Sequence, residues 1–252
     1  MSTAVSWAPA NLITSLVRSR ALATDVVLDI GCGIRPQTLC CPRVHICVEP
    51  HWSYIEQLRP RLRRRHRSRF VFLHCTWDAA MKLFPDHSID TVVALDVIEH
   101  FEKADAQLFL AEAERVARGQ VIVKTPLGFY PQSYEHSHEP DRWGLDGGDW
   151  QTHRSGWFPE DFGDGWDCIC CQDFYRCDDL GRPFPEPIGL LWALRTLTSS
   201  GRPAPRRASY VPCREPWRDI ARRCVPAGLR RMLRLAWNKF GGRKKTSDAA
   251  RL

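Results

Sequence analysis

Two glycines flank a cysteine directly after an apolar run in the stretch VVLDIGCGIRPQ, residues 26–37. Gly31 and Gly33 carry no side chain, so their backbone N–H groups can approach a ligand and the turn can use positive φ. The third glycine of the dinucleotide pattern G-x-G-x-x-G is missing. Asp29, just before the glycines, would repel a pyrophosphate but suits an amine. The turn therefore predicts a ligand that carries a positive amino group.

Acidic residues also follow the next apolar runs. VHICVEPH places Glu49 twenty residues after Asp29, and a carboxylate at the tip of a second strand suits a pair of ribose hydroxyls. Asp78 follows the third run, in CTWDAA, where it can receive an adenine amino group. The fourth run ends in DVIEH, residues 96–100. Together these positions predict a nucleoside site with no place for a phosphate chain.

Short Val- and Ile-rich runs of strand length must position these residues. We predict strands at 26–30, 44–48, 70–74, 91–95 and 120–124, with a helix over 103–118 before the last of them. Continuously apolar strands that alternate with helices are typical of a parallel sheet covered on both faces. Two later runs, 166–171 and 188–194, are predicted to form an edge pair. The fold class is therefore α/β with a doubly wound, mostly parallel sheet.

These motifs, in this order, resemble a class I S-adenosylmethionine-dependent methyltransferase of the type 11 kind. The resemblance spans roughly residues 20–195 and rests on VVLDIGCGIRPQ, CVEPH, WDAAMKLFPDHSIDTVVALDVIEH, VIVKTPLGFYPQ and HRSGWFPEDF. It implies a Rossmann-like sheet and S-adenosyl-L-methionine as cofactor. The sequence departs from the family at Arg35 and Pro36, where members often carry a further small residue, so the loop near the methionine end is expected to differ.

The resemblance also implies a role for each matching residue. Asp29 would orient the turn and sense the methionine ammonium, while Glu49 would hold the ribose diol. Glu99 and His100 belong to the same signature, and we expect them to shape the following loop more than to do chemistry. The cofactor-binding set is Asp29, Gly31 and Gly33 at the turn, Glu49 at the ribose, Trp77 and Asp78 at the adenine, and Leu95, Asp96 and Val97 beside the amino acid moiety.

A long polar and aromatic connection, residues 125–157, follows the fifth strand and is predicted to cap the substrate. An oxygen nucleophile needs a base near neutral pH. We prefer His153 for that role, with His136 and His138 behind it; the alternative is that His153 only caps a turn. The residues expected to contact substrate are Tyr130, Gln132, Arg142, Trp143 and Trp157. Two histidines one residue apart, with Asp141 nearby, are weak grounds for a metal site, and we expect no metal.

Charge divides the 252 residues into an acidic body and a basic tail. The net charge is +7, yet residues 201–252 carry 15 Lys and Arg against three Asp and Glu. We expect a methyltransferase domain over 1–198, a Pro- and Arg-rich linker over 199–225, and a basic amphipathic helix with a frayed C-terminus over 226–252. The helix face at 226–240 suits either the body itself or an anionic membrane surface. A further basic island, 59–69, favours a solvated helix end or an anionic partner.

Eleven cysteines, without a paired C-x-x-C zinc pattern, predict buried free thiols. No leader or membrane-spanning run is evident. A cytoplasmic protein is therefore expected, with peripheral membrane contact as the option that the tail adds.

We expect methyl transfer to a hydroxyl of a small molecule, a sugar or a lipid-linked glycan. One alternative is a nucleic-acid methyltransferase that uses the basic tracts to contact phosphates. Another is a catalytically silent cofactor-binding module recruited by its tail. The sequence does not fix the oligomeric state.

Overall fold

The computed structural model describes residues 3–62, 68–136, 138–178 and 181–197. The predicted linker at 199–225, the predicted amphipathic helix and C-terminus at 226–252, and residues 63–67 of the basic island lie outside these residues. Within the described ranges, none of the helices combines the length and the apolar character that a membrane crossing needs.

Eight strands form one sheet in the order β1-β7-β8-β6-β5-β2-β3-β4. Neighbouring strands are parallel except where β8 runs antiparallel to β6 and β7. The strands are β1 Ala4–Trp7, β2 Val26–Ile30, β3 Val44–Val48, β4 Phe70–Leu73, β5 Ile89–Leu95, β6 Ala117–Leu127, β7 Trp166–Cys177 and β8 Pro183–Thr196. The sheet reverses its winding between β2 and β5, and ligands of open α/β sheets bind at such a point.

Helices connect the strands on both sides of the sheet. They are α1 Ala10–Arg20, α2 Trp52–Leu58, α3 Trp77–Met81, α4 Lys103–Val116 and α5 Gly148–Gln151. Short 3₁₀ turns occupy Arg59–Arg61, Ile98–His100 and Pro159–Phe162. The predicted helix over 103–118 ends at Val116, because Ala117 already has extended dihedral angles and begins β6 without a loop.

Alternate residues of the central strands enter two separate hydrophobic cores. Leu28 and Ile30 pack with α4 on one face of the sheet, whereas Val27 packs with Ile13 and Val17 of α1 on the other. Burial on both faces explains why these strands are continuously apolar. The prediction of a doubly wound α/β sheet is confirmed.

The edge of the sheet differs from the sequence-based expectation. The two late runs do pair with each other, as β7 and β8, but β8 lies between β7 and β6. The outer edge is instead β1, which pairs parallel with β7 and was not predicted. β1 is only four residues long, and its Val5 and Trp7 side chains are exposed, so it lacks the buried apolar pattern of a strand.

Most of the described cysteines match the expected free thiols. Cys168, Cys170 and Cys171 are buried in β7 and are free. Cys41, in contrast, is disulfide-bonded, so the expectation of free thiols is wrong for this residue.

One charged pair is enclosed within the sheet. Asp29 of β2 and His45 of β3 are each less than 5% exposed, and His45 Nε2 lies 2.8 Å from Asp29 Oδ2. Burial alone lowers the pKa of His45, but hydrogen bonds with Asp29 and Cys47 and the charge of Asp29 raise that pKa to about 10. The imidazole is therefore charged at neutral pH, and the pair ties β2 to β3.

Replacing His45 by Gln should lower the free energy of unfolding by about 3–5 kcal/mol at pH 7, because the Asp29 charge would stay buried without its partner. Since the folded-state pKa of His45 lies above its unfolded value, the stabilisation is complete below pH about 6.5 and disappears as the pH rises toward 10. The stability difference between wild type and variant, measured by chemical denaturation, should therefore shrink over that range.

The matched control is Lys82→Gln, which breaks the exposed Lys82–Asp78 pair and should cost less than about 1 kcal/mol. An equal cost for the two variants would contradict a charged pair inside the sheet.

Candidate functional site

The glycine turn lies at the carboxyl end of β2 and packs against the end of β5. Gly31 has φ +61°, and a Cβ placed on it would lie 2.7 Å from Val97 Cγ2. Gly33 has φ +50°, and a Cβ on it would have no atom within 4 Å. Only glycine fits comfortably at Gly31, whereas the backbone at Gly33 faces open space that a ligand can enter.

Glu49, at the carboxyl end of β3, faces this turn. Its carboxylate is 3% exposed and accepts hydrogen bonds from Gly33 N at 2.8 Å and from His51 N at 2.9 Å. Burial raises the pKa of Glu49 to about 7, and the two backbone hydrogen bonds oppose that rise. A carboxylate offers about four acceptor positions, so two remain for a diol. The geometry fits the ribose role, which stays a prediction.

Asp29 is held on the other side of the same turn. Its Oδ2 accepts a hydrogen bond from Gln37 N at 2.8 Å, besides its contact with His45. Asp29 therefore fixes the loop that follows Gly33. Its contact with the methionine ammonium stays a prediction.

The expected adenine and amino-acid contacts lie at the ends of the neighbouring strands. The Trp77 indole packs on Phe101 and Phe109, with ring centroids 6.0 and 5.5 Å away. Asp78 is exposed and pairs with Lys82. The roles of Trp77 and Asp78 at the adenine stay predictions.

Asp96 is exposed and pairs with Lys124 Nζ at 2.5 Å. Its φ of +56° is uncommon for a residue other than glycine. Leu95 is half-buried, and Val97 is buried against Gly31. Roles of these three residues beside the amino acid moiety also stay predictions.

The predicted cap is a loop whose two ends are joined. Gly128 N donates to Trp157 O at 2.7 Å, so the intervening residues leave the sheet and return to the same place. Gln132 binds the returning segment, since its side chain donates to Gln151 O at 2.6 Å and its carbonyl accepts from His153 N at 2.9 Å.

Trp157 closes the base of the cap, and its expected contact with substrate stays a prediction. Its side chain is fully buried, its Nε1 donates to Ser155 Oγ at 3.0 Å, and Lys103 Nζ lies 3.8 Å from the ring centroid. Its role is to hold the returning segment on the protein.

The middle of the cap contacts the protein beside Glu49. The Tyr54 hydroxyl of α2 donates to the buried Asp141 carboxylate, and the Trp143 ring packs edge-on against Tyr54 at 5.4 Å. His51 Nε2 lies 3.0 Å from Asp146 Oδ1. The cap thus reaches the end of β3, where the ribose is expected.

A cluster that the sequence analysis missed joins the cap to the end of β5. Glu99, His100 and His153 each place one ligand-type atom within 4.8 Å of the others. The backbone fixes this proximity, because Arg154 N and Ser155 N both donate to Glu99 O, at 2.7 and 3.1 Å. The rings of His100 and His153 lie 4.7 Å apart. We had expected Glu99 and His100 only to shape the loop, yet they lie beside the preferred base.

Burial shifts the pKa values within this cluster in opposite directions. Glu99 is 2% exposed; burial, followed by the charge of Asp96, raises its pKa to about 8. Burial and the neighbouring His153 lower the pKa of His100 to about 3, so this ring is neutral. Perturbed groups of this kind concentrate at functional sites.

The remaining candidate residues lie in the cap. Tyr130 is buried beside the His153 ring, and Arg142 is exposed above Trp143. His136 and His138 are both exposed. Among the described residues, His136, His138 and Asp141 do not form a group with metal-ligand spacing.

Residues 28–123 match the family model described as "Methyltransferase domain". The matched segment runs from β2 into β6 and contains the glycine turn, Glu49 and Glu99, but stops before the cap. The match confirms the resemblance to class I S-adenosylmethionine-dependent methyltransferases and, with it, S-adenosyl-L-methionine as the cofactor of this domain class. It covers less than half of the chain. No curated protein matches the chain.

Solved structures of similar fold share little sequence with the chain. The methyltransferase domain of bacterial CtHen1-CN is 20% identical, with 75% of this chain and 98% of that chain covered and a TM-score of 0.46. Magnesium protoporphyrin IX methyltransferase from Synechocystis PCC 6803 with bound SAM is 13% identical, with 73% of this chain and 76% of that chain covered and a TM-score of 0.44. The YcgJ protein from Bacillus subtilis is 12% identical, with 75% of this chain and 100% of that chain covered and a TM-score of 0.49. The family match alone identifies residues 28–123 as a methyltransferase domain.

Replacing Gly31 by Ala should destabilise the protein more than the same change at Gly144. Both glycines have positive φ, but of the two only Gly31 would bring the new Cβ against another side chain, that of Val97. A residue with a side chain at positive φ costs about 1–2 kcal/mol, and the overlap at Gly31 adds about 1–3 kcal/mol. Urea denaturation of the two variants measures the difference, and equal costs would contradict the contact between the turn and β5.

Proposed function

We propose that this chain, whose residues 28–123 are a methyltransferase domain of class I type, transfers a methyl group from S-adenosylmethionine to a hydroxyl group. The acceptor would be a small molecule, a sugar or a lipid-linked glycan. One observation carries the proposal, and it concerns Val97. This residue packs on the glycine turn that faces Glu49. Two residues further along the chain, Glu99 begins the cluster with His100 and His153. A cofactor end and an acceptor end thus adjoin at one edge of the sheet.

On the cofactor side the chain supplies contacts for a nucleoside with an amino acid attached. The backbone at Gly33 faces open space, and Glu49 retains acceptor positions for hydroxyl donors. The cofactor would supply an electrophilic methyl group on a sulfonium. The protein's part is to align that methyl with the acceptor, and alignment alone can account for much of the acceleration.

On the acceptor side, the cluster of Glu99, His100 and His153 supports a hydroxyl group as the methyl acceptor. A hydroxyl needs a base to remove its proton, and His153 can supply one. His153 Nδ1 lies 2.9 Å from Tyr130 O; a carbonyl only accepts hydrogen bonds, so Nδ1 carries a proton, and in the neutral ring Nε2 has the basic lone pair. A histidine in this state can take up a hydroxyl proton. Gln132 and Tyr130 place the ring, and Arg142 and Trp143 remain candidates for acceptor contacts.

The other expectations remain predictions. Methylation of nucleic acid would require the basic tracts, most of which lie outside the described residues. Contact of residues 226–240 with an anionic membrane, the cytoplasmic location and the oligomeric state are likewise untested. A silent cofactor-binding module would bind S-adenosylmethionine without methylating any fraction of a cell extract.

Full-length protein supplied with S-adenosylmethionine carrying a ¹³C-labelled methyl group should label the small-molecule or lipid fraction of an extract. The label should appear as an O–CH₃ group by NMR. His153→Ala should lower kcat by about 10²–10⁴-fold, because the acceptor proton would lose its base. Gln107→Ala, at an exposed position of α4, should retain wild-type activity. Label found on nitrogen, on carbon or in the RNA fraction would contradict the proposal.

A further inference from the structure

The Glu99 carboxylate is buried without a counter-ion. Neither of its oxygens has a hydrogen-bond partner among the described residues. The other charges nearby are paired, Asp96 with Lys124 at 2.5 Å and Arg154 with Asp149 at 3.1 Å. A buried carboxylate without a partner is costly, and proteins normally compensate it with a cation or with hydrogen bonds.

Both histidines beside Glu99 present Nδ1 to a backbone carbonyl oxygen. His100 Nδ1 lies 3.1 Å from Thr152 O, and His153 Nδ1 lies 2.9 Å from Tyr130 O. Because a carbonyl oxygen can only accept, each Nδ1 holds a proton, and in the neutral ring the lone pair is then on Nε2. Fixing a ring by a hydrogen bond from its other nitrogen is how proteins prepare histidine to ligate a metal.

We propose that Glu99, His100 and His153 bind a divalent transition-metal ion through the carboxylate and the two Nε2 atoms. Two imidazoles and one carboxylate suit Zn²⁺, Co²⁺ or Mn²⁺ better than Ca²⁺ or Mg²⁺. Ligands of one such ion lie about 2.0–2.2 Å from it, so the group, now within 4.8 Å, needs to contract only slightly. Both histidines are partly exposed, which leaves a coordination position open toward the cap.

A second group of ligand-type residues, Asp29, His45 and Cys47, has similar spacing but differs in two respects. All three residues are fully buried, so an ion there would have no open position. Asp29 and His45 already neutralise each other. The cluster at Glu99 combines a buried carboxyl group that has no hydrogen-bond partner among the described residues with access through two partly exposed histidines.

The ion's chemical role rests on the proposed methyl transfer, whereas the binding site does not. An acceptor hydroxyl coordinated at the open position would have a lowered pKa and would lose its proton to water. Its oxygen lone pair would then form the C–O bond as the C–S bond breaks, with both electrons passing to sulfur. The products are a methyl ether, the thioether of the demethylated cofactor and one proton. His153 would then be a ligand rather than the base.

Metal binding can be measured on the full-length chain without any acceptor. Protein freed of metal by dialysis against a chelator is titrated with Co²⁺, and binding is followed by visible absorption and calorimetry. One ion per chain should bind to wild type, with bands typical of nitrogen and oxygen ligands. Glu99→Gln and His153→Gln should weaken binding at least tenfold to 100-fold, since loss of supporting partners alone has effects of that size.

His87→Asn is the matched control. His87 Nδ1 also contacts a carbonyl, that of Ala117, at 3.1 Å, but His87 precedes β5 at the opposite edge of the sheet. This variant should bind Co²⁺ like wild type. Glu99→Gln replaces a buried carboxyl group that has no hydrogen-bond partner among the described residues with a neutral amide of the same shape. Its stability to urea should therefore equal that of wild type, and lost binding would not reflect unfolding.

The outcomes separate the metal site from the proposed function. Loss of Co²⁺ binding in Glu99→Gln and His153→Gln, but not in His87→Asn, supports the site even if no acceptor is ever methylated. Wild type that binds the demethylated cofactor but no Co²⁺ would overturn the site and leave methyl transfer standing. A thiolate charge-transfer band, or binding that Glu99→Gln does not change, would also overturn it, because the ion would then lie at Cys47 or elsewhere.

Discussion

Three buried carboxylates at one edge of the sheet constrain the whole arrangement. Asp29 lies near the end of β2, Glu49 directly follows β3, and Glu99 lies four residues after β5. Each of the three is 3% exposed or less. A charge removed from water must be compensated, and each of the three is treated differently. Asp29 has a charged histidine and Glu49 has two backbone N–H groups, whereas neither oxygen of Glu99 has a hydrogen-bond partner among the described residues.

These differences in compensation give the three carboxyl groups different roles at this edge of the sheet. The Asp29 pair is structural, because it joins β2 to β3 and fixes the loop after the glycine turn. Glu49 is held rigidly but retains acceptor capacity, which suits a binding group. Glu99 would be stabilised by a bound cation or by a proton, which suits a residue of the reacting site. Val97, packed on Gly31, connects the last two of these groups.

Much of the fold could be predicted because buried parallel strands leave a strong pattern in the sequence. The runs at 26–30 and 44–48 coincide with β2 and β3, and the glycine turn with Glu49 stands where a nucleoside site was expected. β1 could not be predicted, since its alternate residues are exposed and its pairing with β7 depends on a contact more than 160 residues away.

The acceptor site was only half predicted. His153 was chosen for its residue type and its place in the cap, but Glu99 and His100 become its neighbours only because the cap folds back and Arg154 N reaches Glu99 O. The signal available was an acidic residue and a histidine directly after a buried strand, DVIEH. Trp157 closes the base of the cap, and sequence does not distinguish an aromatic residue that binds a ligand from one that closes a loop.

The central claim is that the edge around Glu49 is a site for S-adenosylmethionine, and calorimetric titration of this cofactor and of its demethylated product tests it most directly. Wild type should bind both, and Glu49→Ala should weaken binding by about 1.5–3 kcal/mol, roughly ten- to 150-fold. Glu56→Ala, at an exposed position of α2, should leave the affinity unchanged. Failure of the folded wild type to bind either compound, or equal affinities for wild type and Glu49→Ala, would contradict this account.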